Sequence, residues 1–88
     1  MIGIRMSDAP MHAALTILDV APGHSDRATR LAAMGLVVGS HVIVRQKRPA
    51  VIVEYDATVL ALDHEVAREV IVVVDDIKDG VDEATAQR

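Results

Sequence analysis

A chain of 88 residues, half of them apolar and with a net charge of −4, has room for one small domain with a packed core. It has no cysteine, which excludes a disulfide framework and any thiolate metal site. The acidic balance argues against general binding to nucleic acid or an anionic membrane, since neutralising phosphate takes an excess of Lys and Arg. No apolar run approaches the ~20 residues of a membrane-spanning helix. The opening Met1-Ile2-Gly3-Ile4-Arg5 lacks the basic and apolar regions of a secretory signal. Gly3 also stands one place too late for myristoylation. A soluble, cytoplasmic protein is expected.

In chain order, residues 1–13 form a poorly patterned lead-in with a turn at Asp8-Ala9-Pro10. Ala14 to Val20 reads as a strand that Pro22-Gly23 terminates. Ser25 is placed to cap a short helix over 25–34, in which Ala28, Leu31 and Ala32 share one apolar face and Arg27 and Arg30 point to solvent. Gly35 closes that helix, where the backbone must turn left-handed without a Cβ penalty. Val42 and Val44 alternate with His41, Ile43 and Arg45, the pattern of a strand with one buried face. The cluster Gln46-Lys47-Arg48-Pro49 breaks the strand, and Ala50 to Tyr55 resumes it. A tight turn at Tyr55-Asp56-Ala57-Thr58 leads into Val59 to Leu62. Asp63 caps a single helical turn over His64 to Ala67, and Val70 to Val74 is the last strand. Short, closely spaced strands of this kind reduce their exposed edges by curling into a small barrel. Residues 75–88, with Asp75, Asp76, Asp79, Asp82 and Glu83, are expected to be a solvated acidic tail. The domain proper is therefore residues 14–74.

The run Arg30-Leu31-Ala32-Ala33-Met34-Gly35-Leu36-Val37-Val38-Gly39 is the most specific feature of the chain. Arg-Leu-x-x-Met-Gly-Leu-x-x-Gly is similar to the signature of FeoA-type domains, and the hairpin, the Leu60-Ala61-Leu62 segment and the final Val-Ile strand follow at matching distances. The resemblance implies a mainly β fold, a five-stranded SH3-like barrel with a short helix between early strands. It also implies an accessory role in bacterial ferrous-iron uptake, with the ferrous-iron permease and its GTP-binding domain as partner, and no enzyme activity. The leading Leu-x-x-Leu-x-x-Gly element of the family is poorly matched by Ile4, Met6 and Ala9-Pro10, and a glycine usual after the hairpin is replaced by Tyr55-Asp56. The same barrel resembles the C-terminal domain of diphtheria-toxin-repressor-type metalloregulators. That resemblance supports a different reading, an accessory module for metal sensing that binds a transition metal or a metalloregulator. The chain has no room for a helix-turn-helix beside the barrel.

Candidate sites are few. His12, His24, His41 and His64 show no i, i+4 pairing, and a metal centre needs three or four converging ligands, so no metal site and no cofactor are expected. No nucleophile elbow or phosphate-binding loop is present, and the carboxylates Asp63 and Glu65 beside His64 are accounted for by helix capping. Arg45, Lys47 and Arg48 gather at the hairpin as a basic patch; they read either as a solvated turn or as a tip that steers the domain onto an acidic partner. Leu36, Val37 and Val38 cannot all face inward at a corner. Leu36 and Val37, with Arg45, Lys47 and Arg48, are the residues expected to carry docking. Tyr55 is the lone aromatic, so neither a proline-rich-peptide groove nor a base-stacking platform can be built.

Overall fold

The computed structural model describes residues 2–75. Six strands and two helices follow in chain order: β1 (Ile4–Arg5), a 3₁₀ turn (Met6–Asp8), β2 (Leu15–Val20), α1 (Ser25–Ala33), β3 (His41–Gln46), β4 (Val51–Tyr55), β5 (Thr58–Leu62), α2 (His64–Ala67) and β6 (Val70–Val74). The strands form one antiparallel sheet in the order β1-β6-β2-β3-β4-β5. β3 joins its two halves. Its start pairs with β2 through His41 and Val42, and the rest pairs with β4 through Ile43 to Gln46. Around that joint the sheet curls as an SH3-like barrel, left open between β5 and β1.

Alternation builds the core. Leu15 and Ile17 of β2, Val42 and Val44 of β3, Val51 and Val53 of β4, and Val70 and Val72 of β6 all point inward and are fully buried. Most are β-branched, which suits a pleated surface because χ1 is already restricted. The buried Met6 and Ala9 add to this core from the segment expected to be a lead-in. That segment also supplies β1, which pairs Ile4 with Val72 and Arg5 with Ile71 and raises the strand count to six. A two-residue strand is too short to show a period, so alternation could not reveal it.

Two short helices close the ends. α2 packs against the 3₁₀ turn, and its N-terminus is capped as expected: the Asp63 carboxylate accepts the Val66 N–H at 3.0 Å. α1 has no side-chain cap. His24 holds the N-cap position and Ser25 is the first helical residue, so the expected Ser25 cap does not form. Of the apolar face read for α1, Leu31 is buried, Ala28 is half-buried and Ala32 is exposed. The helix touches the barrel along a line rather than a broad stripe.

The C-terminal end of α1 follows the Schellman pattern. Gly35 N–H donates to Ala32 C=O at 2.9 Å, and Leu36 N–H donates to Leu31 C=O at 2.9 Å. Gly35 has φ +97°, the left-handed region that glycine alone enters freely. Leu31 and Leu36, brought together by this turn, are both buried. At the other end of the chain, Asp75 is anchored: its N–H donates to Ala14 C=O at 2.9 Å, and its carboxylate accepts the Thr16 hydroxyl at 2.6 Å. It thus departs from the expected solvated tail. The remainder of that tail, 76–88, lies outside the described residues.

Candidate docking surfaces

The hairpin between β3 and β4 does not present its three basic residues alike. Val44 pairs with Val53 and Gln46 with Ile52, so Arg45 is the extra residue of a β-bulge within β3 and not part of the turn. Its guanidinium donates to Glu54 Oε1 at 2.7 Å and lies 3.3 Å from His12 Nδ1. Arg45 is thus committed to a cross-strand ion pair, contrary to its expected place on a projecting tip. The tip consists of Lys47, half-buried, and Arg48, exposed. Its backbone is held from behind, because Gln46 Nε2 donates to Arg48 C=O at 2.7 Å and the His64 ring meets Lys47 C=O.

The corner after α1 divides as well. Leu36 is fully buried beneath the Schellman turn and has no surface to offer a partner, which corrects its expected docking role. Val37 is 43% exposed and Val38 is 64% exposed; together with the exposed Met34 they make a small apolar knob. The knob and the tip lie beyond opposite ends of β3, whose six residues span roughly 20 Å. Folding does not bring them together.

Two grooves escaped the sequence reading. An apolar groove of about 240 Å³ runs between α1 and the end of β5, floored by Leu31, Met34, Ala61 and Leu62 and edged by Arg27 and Arg30. Beyond Arg27 it continues into a polar hollow with Arg5 and Arg68. The hollow is organised by one ion pair, Arg27 Nη1 to Glu69 Oε1 at 2.6 Å. The hydrogen bond from Arg27 holds the Glu69 carboxyl below its ordinary pKa and raises that of Arg27 in turn. Arg5, Arg30 and Arg68 make no ion pair among the described residues. Four arginines from three separate segments, Arg5, the α1 pair Arg27 and Arg30, and Arg68, therefore share one side of the molecule. The only local signal was the i, i+3 spacing of Arg27 and Arg30 on the polar face of α1.

The histidines are dispersed. His12 meets Arg45, His24 lies 4.0 Å from Glu69, His41 contacts Thr16 at 3.1 Å and Asp75 at 3.7 Å, and His64 meets a backbone carbonyl. Among the described residues no three His, Asp or Glu side chains are placed to hold a metal ion. No described helix is long and apolar enough to cross a membrane.

A small open barrel with a glycine-closed helix and exposed apolar and basic surfaces defines the class: a small SH3-like domain. The FeoA domain model matches residues 4–74, and the chain belongs to the FeoA family. Among curated proteins no sequence matches the chain. Solved structures do. The FeoA-like protein of Clostridium acetobutylicum aligns at 19% identity over 84% of this chain and 88% of its own, with TM-score 0.73. Zinc-complexed FeoA of Stenotrophomonas maltophilia, described as a prokaryotic SH3 domain protein, aligns at 26% identity over 83% and 91%, with TM-score 0.67. T. acidophilum IdeR aligns at 20% identity and TM-score 0.76; 85% of this chain is covered, but only 35% of IdeR. The family match reaches back to Ile4 and so includes β1, which the 14–74 boundary left out.

Proposed function

We propose that this chain is a non-enzymatic, cytoplasmic adaptor that supports or regulates ferrous-iron uptake by docking on the cytosolic GTP-binding part of the ferrous-iron permease. Its membership of the FeoA family over nearly the whole described domain carries this reading. The S. maltophilia relative, described as a candidate activating factor for bacterial ferrous-iron transport, supports it. The surface is compatible with such a role. Val37 and Val38 offer exposed apolar contact area on a corner whose backbone is fixed by the Schellman turn, so docking there costs little ordering. Lys47 and Arg48 offer a separate basic point of contact at the far end of β3.

Surface plasmon resonance against the immobilised cytosolic domain of the permease, with and without guanine nucleotide, is the direct test. Saturable binding that alters GTP turnover supports the adaptor. The absence of binding in every nucleotide state rejects it.

The metal-sensing alternative has one specific observation in its favour, the likeness of this barrel to about a third of IdeR. That likeness is one of fold. Among the described residues no preformed ligand set for a metal is present, and a sensing role through a metalloregulator partner needs none.

A further inference from the structure

We propose that the free edge of β5, together with the arginine-edged groove beside it, binds an extended acidic peptide segment of a partner protein by strand addition.

The two open edges of the sheet differ sharply. β1 is two residues long and carries Arg5, which is how exposed edges are ordinarily protected. β5, Thr58-Val59-Leu60-Ala61-Leu62, is five residues long and has no charge, no proline and no bulge. Its register is continuous with β4 from Tyr55–Thr58 to Val51–Leu62. A two-residue hairpin turn is flanked by a hydrogen-bonded pair, here Tyr55 and Thr58, and such pairs alternate along an antiparallel ladder. Thr58, Leu60 and Leu62 therefore spend their backbone groups on β4. Val59 and Ala61 turn their N–H and C=O groups outward, and both residues are exposed. These groups are a template for an incoming strand.

The chemistry beside that edge selects the strand. Ala61 and Leu62 form one wall of the groove and Leu31 and Met34 the other, which leaves room for an aliphatic side chain of the incoming segment. Charge complementarity favours acidic residues flanking that anchor. Arg30 edges the groove without an ion-pair partner among the described residues, and Arg68 and Arg5 stand in the hollow that continues from it. Against Arg5, Arg27, Arg30 and Arg68 stand three carboxylates of the same linings, Asp63, which caps α2, Glu65, and Glu69, which Arg27 engages, so the local balance is positive by one charge. On a chain of net charge −4 this side attracts acidic peptides. The site shares Met34 alone with the apolar corner and nothing with the basic tip, and its strand edge and Arg30 can be tested apart from the permease reading.

The probe is the fluorescein-labelled heptapeptide Asp-Glu-Val-Leu-Val-Glu-Asp, followed by anisotropy and by amide shift mapping on the full chain. Binding should shift the Val59 and Ala61 amides, protect them from hydrogen exchange, and weaken as salt rises. Arg30→Glu should cost roughly three- to five-fold in affinity, the scale of one exposed ion pair. Ala61→Pro removes an outward N–H while sparing the β4 ladder and should cost about tenfold or more. Ala61→Glu keeps the N–H but repels the probe; with Arg30→Glu it decides the matter if the proline variant fails to fold. Wild-type affinity in both Ala61→Glu and Arg30→Glu, or shifts that map away from β5, overturns the proposal. So does sedimentation of the wild type as a dimer that Ala61→Glu converts to monomer, because the edge would then serve a second copy.

Discussion

Gly35 joins two constraints at one residue. Its φ of +97° lies where a Cβ is disfavoured, and a Cβ built there would sit 2.8 Å from the Tyr55 ring. That ring cannot simply swing away, because the Tyr55 hydroxyl donates to the Met34 carbonyl one residue earlier. The lone aromatic of the chain thus spans the end of α1 and the end of β4. Gly35→Ala should cost about 1–3 kcal/mol in chemical denaturation from backbone strain, with an added steric share. The steric share is separable. In a Tyr55→Val background the same substitution should cost less, and a double-mutant cycle reads the difference. Ala57 presents the converse case. Asp56 and Ala57 form the two-residue turn with φ +48° and +63°, a geometry that favours Asn-Gly or Asp-Gly. The glycine absent from the sequence here is the one this geometry asks for. Ala57→Gly should stabilise the domain by about 1 kcal/mol, the cost of holding a Cβ in the left-handed region, and equilibrium unfolding would show it as a higher midpoint with an unchanged slope.

α1 shows what an element of nine residues needs in order to persist, since isolated helices of this length do not hold in water. Three attachments hold it: the buried Leu31, the Schellman turn, and the Arg27–Glu69 pair, which ties it to the loop before β6. Leu31→Ala should destabilise by roughly 2–5 kcal/mol, and a measured loss below half a kilocalorie would place the helix face elsewhere. The ion pair predicts a pH dependence of definite sign. Glu69 is held below its ordinary value of 4.5 in the folded chain, mainly by the hydrogen bond from Arg27. Its contribution is therefore complete above that ordinary value and is lost as pH falls through the depressed one. Glu69→Gln should flatten the acid limb of the stability profile: it lowers stability at neutral pH, and the difference from the wild type disappears as pH falls through the depressed value, as urea titrations from neutral to acid pH would show. At this scale much of the fold was legible in the sequence, since β2 to β6 and both helices stand where alternation, glycine and the Asp63 cap put them. β1 was not legible, because two residues carry no period and Met6 and Ala9 reveal their burial only once β6 is beside them. The Ser25 cap failed for a local reason: the helix begins one residue earlier than a serine cap requires, with His24 at the N-cap.

The surface of the whole molecule was far less legible than its core. Burial is written into periodicity, whereas convergence of charges depends on tertiary placement. Arg5, Arg27, Arg30 and Arg68 are dispersed over the chain and meet only through β1, α1 and α2, while Arg45, Lys47 and Arg48, adjacent in sequence, are divided by a bulge that turns Arg45 onto Glu54. Likewise, Leu36 and Val37 look equivalent in sequence, yet the Schellman turn buries one and exposes the other. This division makes docking at the corner and at the tip separable. Val38→Asp changes an exposed side chain and should leave the circular dichroism spectrum intact, whereas Leu36→Asp buries an unpaired carboxylate and should unfold the domain. Binding lost with Leu36→Asp would therefore report on folding alone. If the apolar corner is the desolvated centre of a complex with the permease's cytosolic domain, Val38→Asp should chiefly speed dissociation. Lys47→Glu with Arg48→Glu alters the field at the other end of β3 and should chiefly slow association, with the wild-type on-rate falling as salt shortens the screening length. Arg45→Gln tests the correction to the tip. It breaks an intramolecular pair, so it should lower stability slightly and leave the association rate at that of the wild type. Stopped-flow or surface plasmon resonance kinetics at two salt concentrations distinguish these outcomes. An on-rate that drops with Arg45→Gln but not with the Lys47 and Arg48 reversal would return Arg45 to the docking surface and remove the tip from it.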